Sequence, residues 1–540
     1  MGISRRLLTV SAVSLLSLGL LAQTAGSPDL SAIHKLKSLE TTDSHVMEIE
    51  SWLTDVYGPR LTNSPDMREA AHWAEKEMTS WGIANVHEEP WTFGRGWSND
   101  FTSVQEISPR VYPLIAYAAA WTPGTNGDVK APAEIVSIAA PADFAKYRGQ
   151  LRGKFVLDQP LPTIPIVEGT GSQITGEFLR YSDQELRGLE TAQPARGRGG
   201  VGRGGRGPAA GVSPAQLMKF FLDEGVACVL APGRGNSNDG TVFVAQGTGA
   251  DSAGPGGRST PLQSAEAPPT PCQLALANES YGRVYRTLEK KVPVTLDINV
   301  KNTYHTENGL DSFNITGEIP GGDLASQLVM LGGHFDSWQS GTGAADNAAG
   351  AATMMEALRL LKVSGLKMRR TVRIALWTGE EQGLLGSRAY ALQHFRNAAG
   401  EVLPEQKQVS GYYNVDNGSG AIRGVYLQGN DMVAPLFERW MQPFHDYGMN
   451  TLTIRDTGGT DHLSFVADGI PGFQFIQDPL DYETRVHHSS ADVYEHVIPW
   501  DMERNAAIVA AFVYQTANLP EMLPRPPLPP APAPAGRGGR

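Results

Sequence analysis

Cysteine is all but missing: Cys228 and Cys272 are the only two in 540 residues. That excludes a disulfide-built scaffold and any thiolate-rich metal site. The pair itself fits either a disulfide in an exported chain or two small buried hydrophobes. Basic charge is in short supply too. With 45 Lys and Arg against 57 Asp and Glu, the net charge is -12, so no nucleic-acid partner is expected. The one Arg-Gly tract, RGRGGVGRGGRG at 196–207, reads as a disordered surface loop. A membrane-length apolar run is also lacking. The longest, Leu7–Leu21, falls short of the ~20 residues that cross a bilayer. Placed after Arg5-Arg6 and before small residues through Gly26, it reads as a secretory signal peptide over 1–25. The expected mature chain is secreted or periplasmic, with no stable membrane anchor after cleavage.

The length predicts two or three structural units. Residues 26–127 are expected to form the N-terminal part of the main domain, largely helical at first sight from 30 to about 125, with helices at Ala32–Leu39, His45–Tyr57 and Met67–Trp81 and with Asp66 as the last one's N-cap. Between 128 and 304 the texture changes to short β-like runs: Ala133–Ile138, Gly153–Leu157, Ala227–Leu230 and Val292–Val300, with a helix at Pro214–Glu224. This predicts a separate β-rich unit carrying the Gly/Arg-rich loop. Over 305–519 apolar strands at Gln327–Gly332, Thr371–Trp377, Gly411–Val415, Val425–Gln428 and Gly472–Ile476 alternate with helices at Ala344–Leu361, Gly383–Phe395, Met432–Tyr447 and Trp500–Leu519. That alternation predicts an α/β fold, a mostly parallel mixed sheet flanked by helices. The Pro-Ala-rich tail, 520–540, is expected to be disordered or a stiff spacer.

What the chain does have is a fixed order of acidic and histidine motifs: His334-Phe335-Asp336, Asp346-Asn347, Glu380-Glu381, Asp416, and His487-His488 with Asp492. Imidazole and carboxylate are the usual ligands of zinc-like ions when cysteine is absent. Each motif alone is an ordinary loop carboxylate or helix cap. Three consecutive predicted strands, however, all end in such residues, and ligands of open α/β sheets bind at the carboxyl ends of strands. The set reads as a two-metal hydrolase site. Either His487 or His488 could be the ligand, and His462 in Thr460-Asp461-His462 is a further candidate for touching substrate or an oxyanion.

HFDSW (334–338), GAADNAAG (343–350), WTGEEQGLLGS (377–387), NVDN (414–417), GGTDHLSF (458–465) and HHSSAD (487–492) together resemble the co-catalytic di-zinc aminopeptidases and carboxypeptidases, the carboxypeptidase Q branch in particular. The resemblance implies the di-zinc exopeptidase fold, with residues 128–304 as an inserted protease-associated domain and 305–519 as the di-metal domain. It implies two Zn2+ per chain: His334 and Asp416 on one, Glu381 and His488 on the other, and Asp346 bridging. Glu380 would be the general base and Asp336 would orient His334. It further implies hydrolysis of short peptides or dipeptides by a water held between the ions, and a homodimer. Arg455 and Arg485 are candidates to bind a substrate carboxylate. Competing readings are an aminopeptidase for longer peptides, a non-catalytic receptor-like relative, and a single-zinc aminoacyl cyclase.

Overall fold

The computed structural model describes residues 26–161, 180–190, 211–233 and 260–528. The expected signal peptide and the Arg-Gly tract lie outside these. Sixteen strands build two sheets among the described residues. In chain order they are β1 Ala84–Thr92, β2 Gly96–Ser108, β3 Tyr112–Pro113, β4 Ala116–Ala118, β5 Val129–Ile135, β6 Phe155–Leu157, β7 Cys228–Pro232 and β8 Gln273–Leu276. Then follow β9 Thr295–His305, β10 Asp311–Ile319, β11 Leu324–His334, β12 Arg370–Trp377, β13 Val409–Asn414, β14 Ile422–Tyr426, β15 Thr451–Thr453 and β16 Gly472–Gln477.

The first sheet runs β1-β10-β12-β11-β13-β16-β14-β15. Its centre, β12-β11-β13-β16, is parallel, and β1, β10 and the β14–β16 pairing are antiparallel, as the alternating pattern predicts. The central strands are apolar on both sides because both faces are covered. Val329 and Leu331 of β11, with Ile374 and Leu376 of β12, face a core that includes the helices Ala349–Val363 and Pro499–Asn518. Leu328, Met330, Ala375 and Trp377 face the opposite core, closed by Tyr390, Phe395 and Phe465. The register aligns the carboxyl ends: His334 lies opposite Trp377, and Gly332 opposite Asn414.

The second sheet, β3-β2-β9-β5-β6-β7-β8-β4, encloses its own core of Trp97, Phe155, Leu230, Leu274 and Ile298 among others. It does not respect a boundary at 128. Strand β2 pairs antiparallel with β9 from Gly96↔His305 to Ser108↔Thr295, so the β-rich unit reaches back into a stretch grouped with the N-terminal part. The helix Asn278–Glu289, absent from the sequence reading, packs its Tyr281 and Val284 into this core. Cys228 and Cys272 are joined as a disulfide, which decides between the two readings of the pair.

Three expectations are corrected. The helix expected from Met67 starts at Pro65 and is capped by Ser64, whose hydroxyl accepts from the Met67 N–H at 3.1 Å; Asp66 lies in the first turn. Proline fits N1 because it has no N–H to leave orphaned. The segment after Trp81 is strand, not further helix: β1 pairs along β10 at the sheet edge. The tail also starts ordered. Leu523 is buried, its N–H donates to Ser410 Oγ at 3.1 Å, and Arg525 donates to the Gln406 and Val409 carbonyls. Residues 529–540 lie outside the described residues. Among the described residues no helix is long and apolar enough to cross a membrane.

Candidate metal centre

The aligned strand ends explain how motifs far apart in the chain meet. His334 is the last residue of β11, Glu380 and Glu381 follow β12, and Asp416 follows β13. The Phe335 N–H donates to the Trp377 carbonyl at 2.6 Å, carrying the sheet register one step into the loop. Asp346 stands in a widened turn, Ala344–Ala348, whose backbone leaves helical geometry at Asp346 and Asn347. Such π-type turns recur at functional sites. Asn347 ties the turn to the next loop: its Nδ2 donates to the Val415 carbonyl at 2.8 Å and its Oδ1 accepts from the Gly350 N–H at 2.9 Å. Gly350 must be glycine, since a Cβ there would stand 2.3 Å from both Asn347 Oδ1 and the Val415 carbonyl.

Asp346 is the hub. Its Oδ1 is 3.2 Å from His334 Nε2, and its Oδ2 is 3.3 Å from His488 Nε2. On one side Asp416 Oδ1 approaches His334 Nε2 to 3.3 Å; on the other Glu381 Oε2 approaches His488 Nε2 to 2.9 Å. His334, Asp346 and Asp416 place their ligand atoms within 4.8 Å of one another, as do Asp346, His487 and His488. His487 Nε2 is farther from Asp346 Oδ2, at 3.7 Å. His488 sits at φ 54°, a left-handed conformation that a non-glycine residue adopts at a cost of roughly 1 kcal/mol or more and that clusters at functional sites.

Electrostatics shows what the cluster lacks. Burial drives Glu380 and Glu381 well above the usual carboxylate range, and neighbouring Asp416 and Asp346 push the same way against His334. Burial alone would depress His334, yet Asp416, Asp336 and Asp346 hold it well above its ordinary value. Asp346 Oδ2 and Glu381 Oε1 are buried without a hydrogen bond. Buried carboxylates in this number need cations, and imidazole nitrogens aimed at carboxylate oxygens supply the donor set that zinc takes. The residues fit a pair of such ions.

The other expected residues are placed differently. At Asp336 it is the backbone carbonyl that accepts from His334 Nδ1, at 2.9 Å, while the carboxylate stays at 3.7 Å. That carboxylate instead accepts from the Glu380 N–H at 3.2 Å and the Thr62 hydroxyl at 2.7 Å. His462 is not brought into the cluster. Burial pushes it down to about 4, and its Nε2 lies 3.3 Å from the Thr457 carbonyl. Its neighbour Asp461 is the residue that feels the site. Burial raises it to about 7, with Asp416 and Asp336 adding to the rise against His334. Asp492 accepts from the Ala345 and Asp346 N–H groups at 2.6 and 3.2 Å and so fixes the hub's backbone. Arg455 is engaged with the Gly188 carbonyl at 3.0 Å. Sequence reasoning missed Arg60, Thr62 and Tyr482. Tyr482 is held far above its ordinary value, first by burial and then by Asp346, Asp416 and Glu381.

Residues 314–513 match the model of peptidase family M28, and carboxypeptidase Q of Bos taurus is 26% identical over 476 residues, 88% of this chain and 85% of that protein. Over residues 314–513 the chain is similar to peptidase family M28. This match and the carboxypeptidase Q relatives mark the chain as a metallo-exopeptidase. The M28 peptidase precursor of Shewanella amazonensis superposes with a TM-score of 0.63 at 24% identity, covering 93% of this chain and 98% of that one. A zinc aminopeptidase from Bacillus subtilis superposes with a TM-score of 0.52 at 18% identity over 87% and 94%. These two are likenesses of fold. The M28 match runs from within β10 through most of the helix Pro499–Asn518, taking in β11 to β16 and every candidate ligand.

Proposed function

We propose that the chain is an exported di-zinc exopeptidase that cuts short peptides, dipeptides foremost, one residue from a free terminus. The observation that carries this reading is Asp346, whose two carboxylate oxygens each face a different histidine. His334 and Asp416 would hold one zinc, Glu381 and His488 the other, with Asp346 shared. Bound zinc would supply Lewis acidity, lowering the pKa of water and polarising the scissile carbonyl. Everything else falls to side chains. His334 donates Nδ1–H to the Asp336 carbonyl, which leaves the Nε2 lone pair free as a ligand. Glu380, raised by burial, takes the proton of the attacking water and returns it to the departing amine.

Short substrates are supported by the second unit. Trp338, four residues past His334, is buried in that unit's core and meets His488 edge-on with ring centroids 6.1 Å apart. That contact supports a site flanked by the β-rich unit, with access narrowed for long peptides. Which terminus serves as the handle follows from comparing a free dipeptide with its N-acetylated and C-amidated forms. Loss on both marks a dipeptidase; loss on one names the end. Export is supported by the disulfide, a bond at home in oxidising compartments, together with the Leu7–Leu21 segment.

The deciding experiment is Glu380→Gln, which keeps shape and removes basicity. Turnover should fall by ~10²–10⁴-fold, the usual contribution of a general base, with bound zinc unchanged. Near-normal turnover would assign the proton to another group.

A further inference from the structure

The residues Arg60 and Thr62 belong to a short segment between the helical turn Trp52–Val56 and the helix Pro65–Ser80, outside the M28 match. Both are fully buried. Arg60 is spent on carbonyls: Nε donates to Phe335 O at 2.9 Å, Nη1 to Leu53 O and Thr342 O at 2.6 and 2.9 Å, and Nη2 to Gly343 O at 3.0 Å. Its N–H donates to Ser337 Oγ, and its carbonyl accepts from the Ser337 N–H, both at 3.0 Å. Arg60 thus pins this segment across the two loops that carry His334 and Asp346.

Thr62 sits where that segment meets the third loop. Its Oγ1 lies 2.7 Å from Asp336 Oδ2, 2.7 Å from the Gln382 side-chain amide and 3.1 Å from the Gly379 N–H. A hydroxyl has one proton and two acceptor sites. The Asp336 carboxylate can only accept, so it takes the proton. Gly379 N–H is one donor to the oxygen. The third contact closes when Gln382 turns its NH2 toward Thr62, which also gives a partner to an otherwise unpartnered buried Nε2. In that arrangement the hydroxyl is saturated. It joins Asp336, whose other oxygen holds the Glu380 N–H at 3.2 Å, to the residues on either side of Glu380-Glu381.

We infer that Thr62 is a positioning residue of this peptidase: through Asp336 and Gly379 it sets where Glu380 stands relative to His334. The inference rests on the reading of Glu380 as proton carrier. It adds a part supplied from outside the family-matched segment, and it gives the Asp336 carboxylate a task other than gripping the imidazole. A hydroxyl that only filled space would be replaceable by a methyl group. One that aligns the base would not be.

The test compares Thr62→Val, Thr62→Ser and Glu380→Gln in the full-length zinc-loaded enzyme. Kinetics on a free dipeptide are read together with zinc affinity from chelator competition. Thr62→Val should lower kcat by ~10–100-fold, the range for a group supporting a metal-site residue, with KM and zinc affinity each within about threefold of the parent. Thr62→Ser should restore kcat to within about threefold. Turnover of Thr62→Val within about twofold of the parent, or equal impairment of Thr62→Ser, overturns the inference. If Thr62→Val does not fold, Thr62→Ala takes its place: the same kcat loss supports the inference, and failure to fold assigns the hydroxyl to stability alone. A Glu380→Gln enzyme that stays active removes the functional reading itself, whereas an inactive Glu380→Gln beside a normal Thr62→Val removes only the positioning role.

Discussion

Two clusters of histidine and carboxylate lie on the same sheet, and only one asks for metal. Away from the strand ends, His394 bridges Glu89 at 3.2 Å and Glu405 at 3.4 Å, while Arg373 reaches Glu405 at 2.9 Å and Glu318 at 2.6 Å. Tyr390 adds a hydroxyl to Glu405 at 2.6 Å and stacks on the His394 ring at 4.1 Å. The chain supplies its own cations there. Burial opposes it, yet Glu405 is held down to about 2 by His394, Arg373 and Tyr390. At the strand ends the same residue types lack that closure. Arg60 is nearby but spends its donors on carbonyls, and Glu380 and Glu381 are driven up rather than down. A count of acidic residues therefore does not mark a metal centre; carboxylates whose charge the chain leaves uncompensated do.

The comparison breaks most visibly at its glutamates. Glu381→Gln replaces a proposed ligand with a neutral amide and should lower zinc affinity by more than the ~10–100-fold that loss of an outer partner brings, taking activity with it. Glu405→Gln, in the self-compensated cluster, should leave zinc content unchanged and lower only stability. Zinc measured after dialysis of both variants checks this, and equal losses would erase the distinction.

A finer version lies within the pair His487-His488. The imidazole of His488 reaches both Glu381 and Asp346, whereas His487 comes only to 3.7 Å of Asp346 and packs against Tyr482, with centroids 4.8 Å apart. His488→Ala should weaken zinc binding more than His487→Ala, by about tenfold or more in chelator competition. His487→Ala losing more zinc would exchange their roles.

The strand-end motifs were legible because apolar runs buried on both faces announce themselves, and because ligands must follow strands that end together. Strands β1 and β2 were not, since ANVHEEPWT and GWSNDFTSVQEIS carry too many exposed polar residues to read as strand without their partners β10 and β9. Arg60 and Thr62 carry no local pattern at all. Their meaning comes from loops some 275 residues away in the chain, Phe335 among them. His462 drew notice over Asp461 because histidine is the commoner site residue, yet the fold turns its ring toward Thr457.

The smallest expected effect belongs to the self-compensated cluster and is one of pH. Burial would lower His394, but Glu405 and Glu89 raise it from 6.5 to about 9. A group whose folded-state pKa is raised binds its proton more tightly when folded, so its contribution is complete below 6.5 and is lost as pH climbs toward 9. Glu405 works in the opposite sense. It is lowered from 4.5 to about 2, so its contribution is complete above 4.5 and fades as pH falls toward 2. The cluster should hold Leu385–His394 against β1 most firmly between 4.5 and 6.5. With the His394 side chain 27% exposed, solvent screening reduces the alkaline loss to about 1–2 kcal/mol. Urea unfolding of the parent and of His394→Gln at a series of pH values from 6 to 9, spanning the rise of His394, isolates it. The parent should lose stability over that window relative to the variant, whose neutral amide cannot titrate. Parallel pH curves for the two proteins would show that His394 is not charged in the fold, and the contrast with the metal centre would then rest on Arg373 alone.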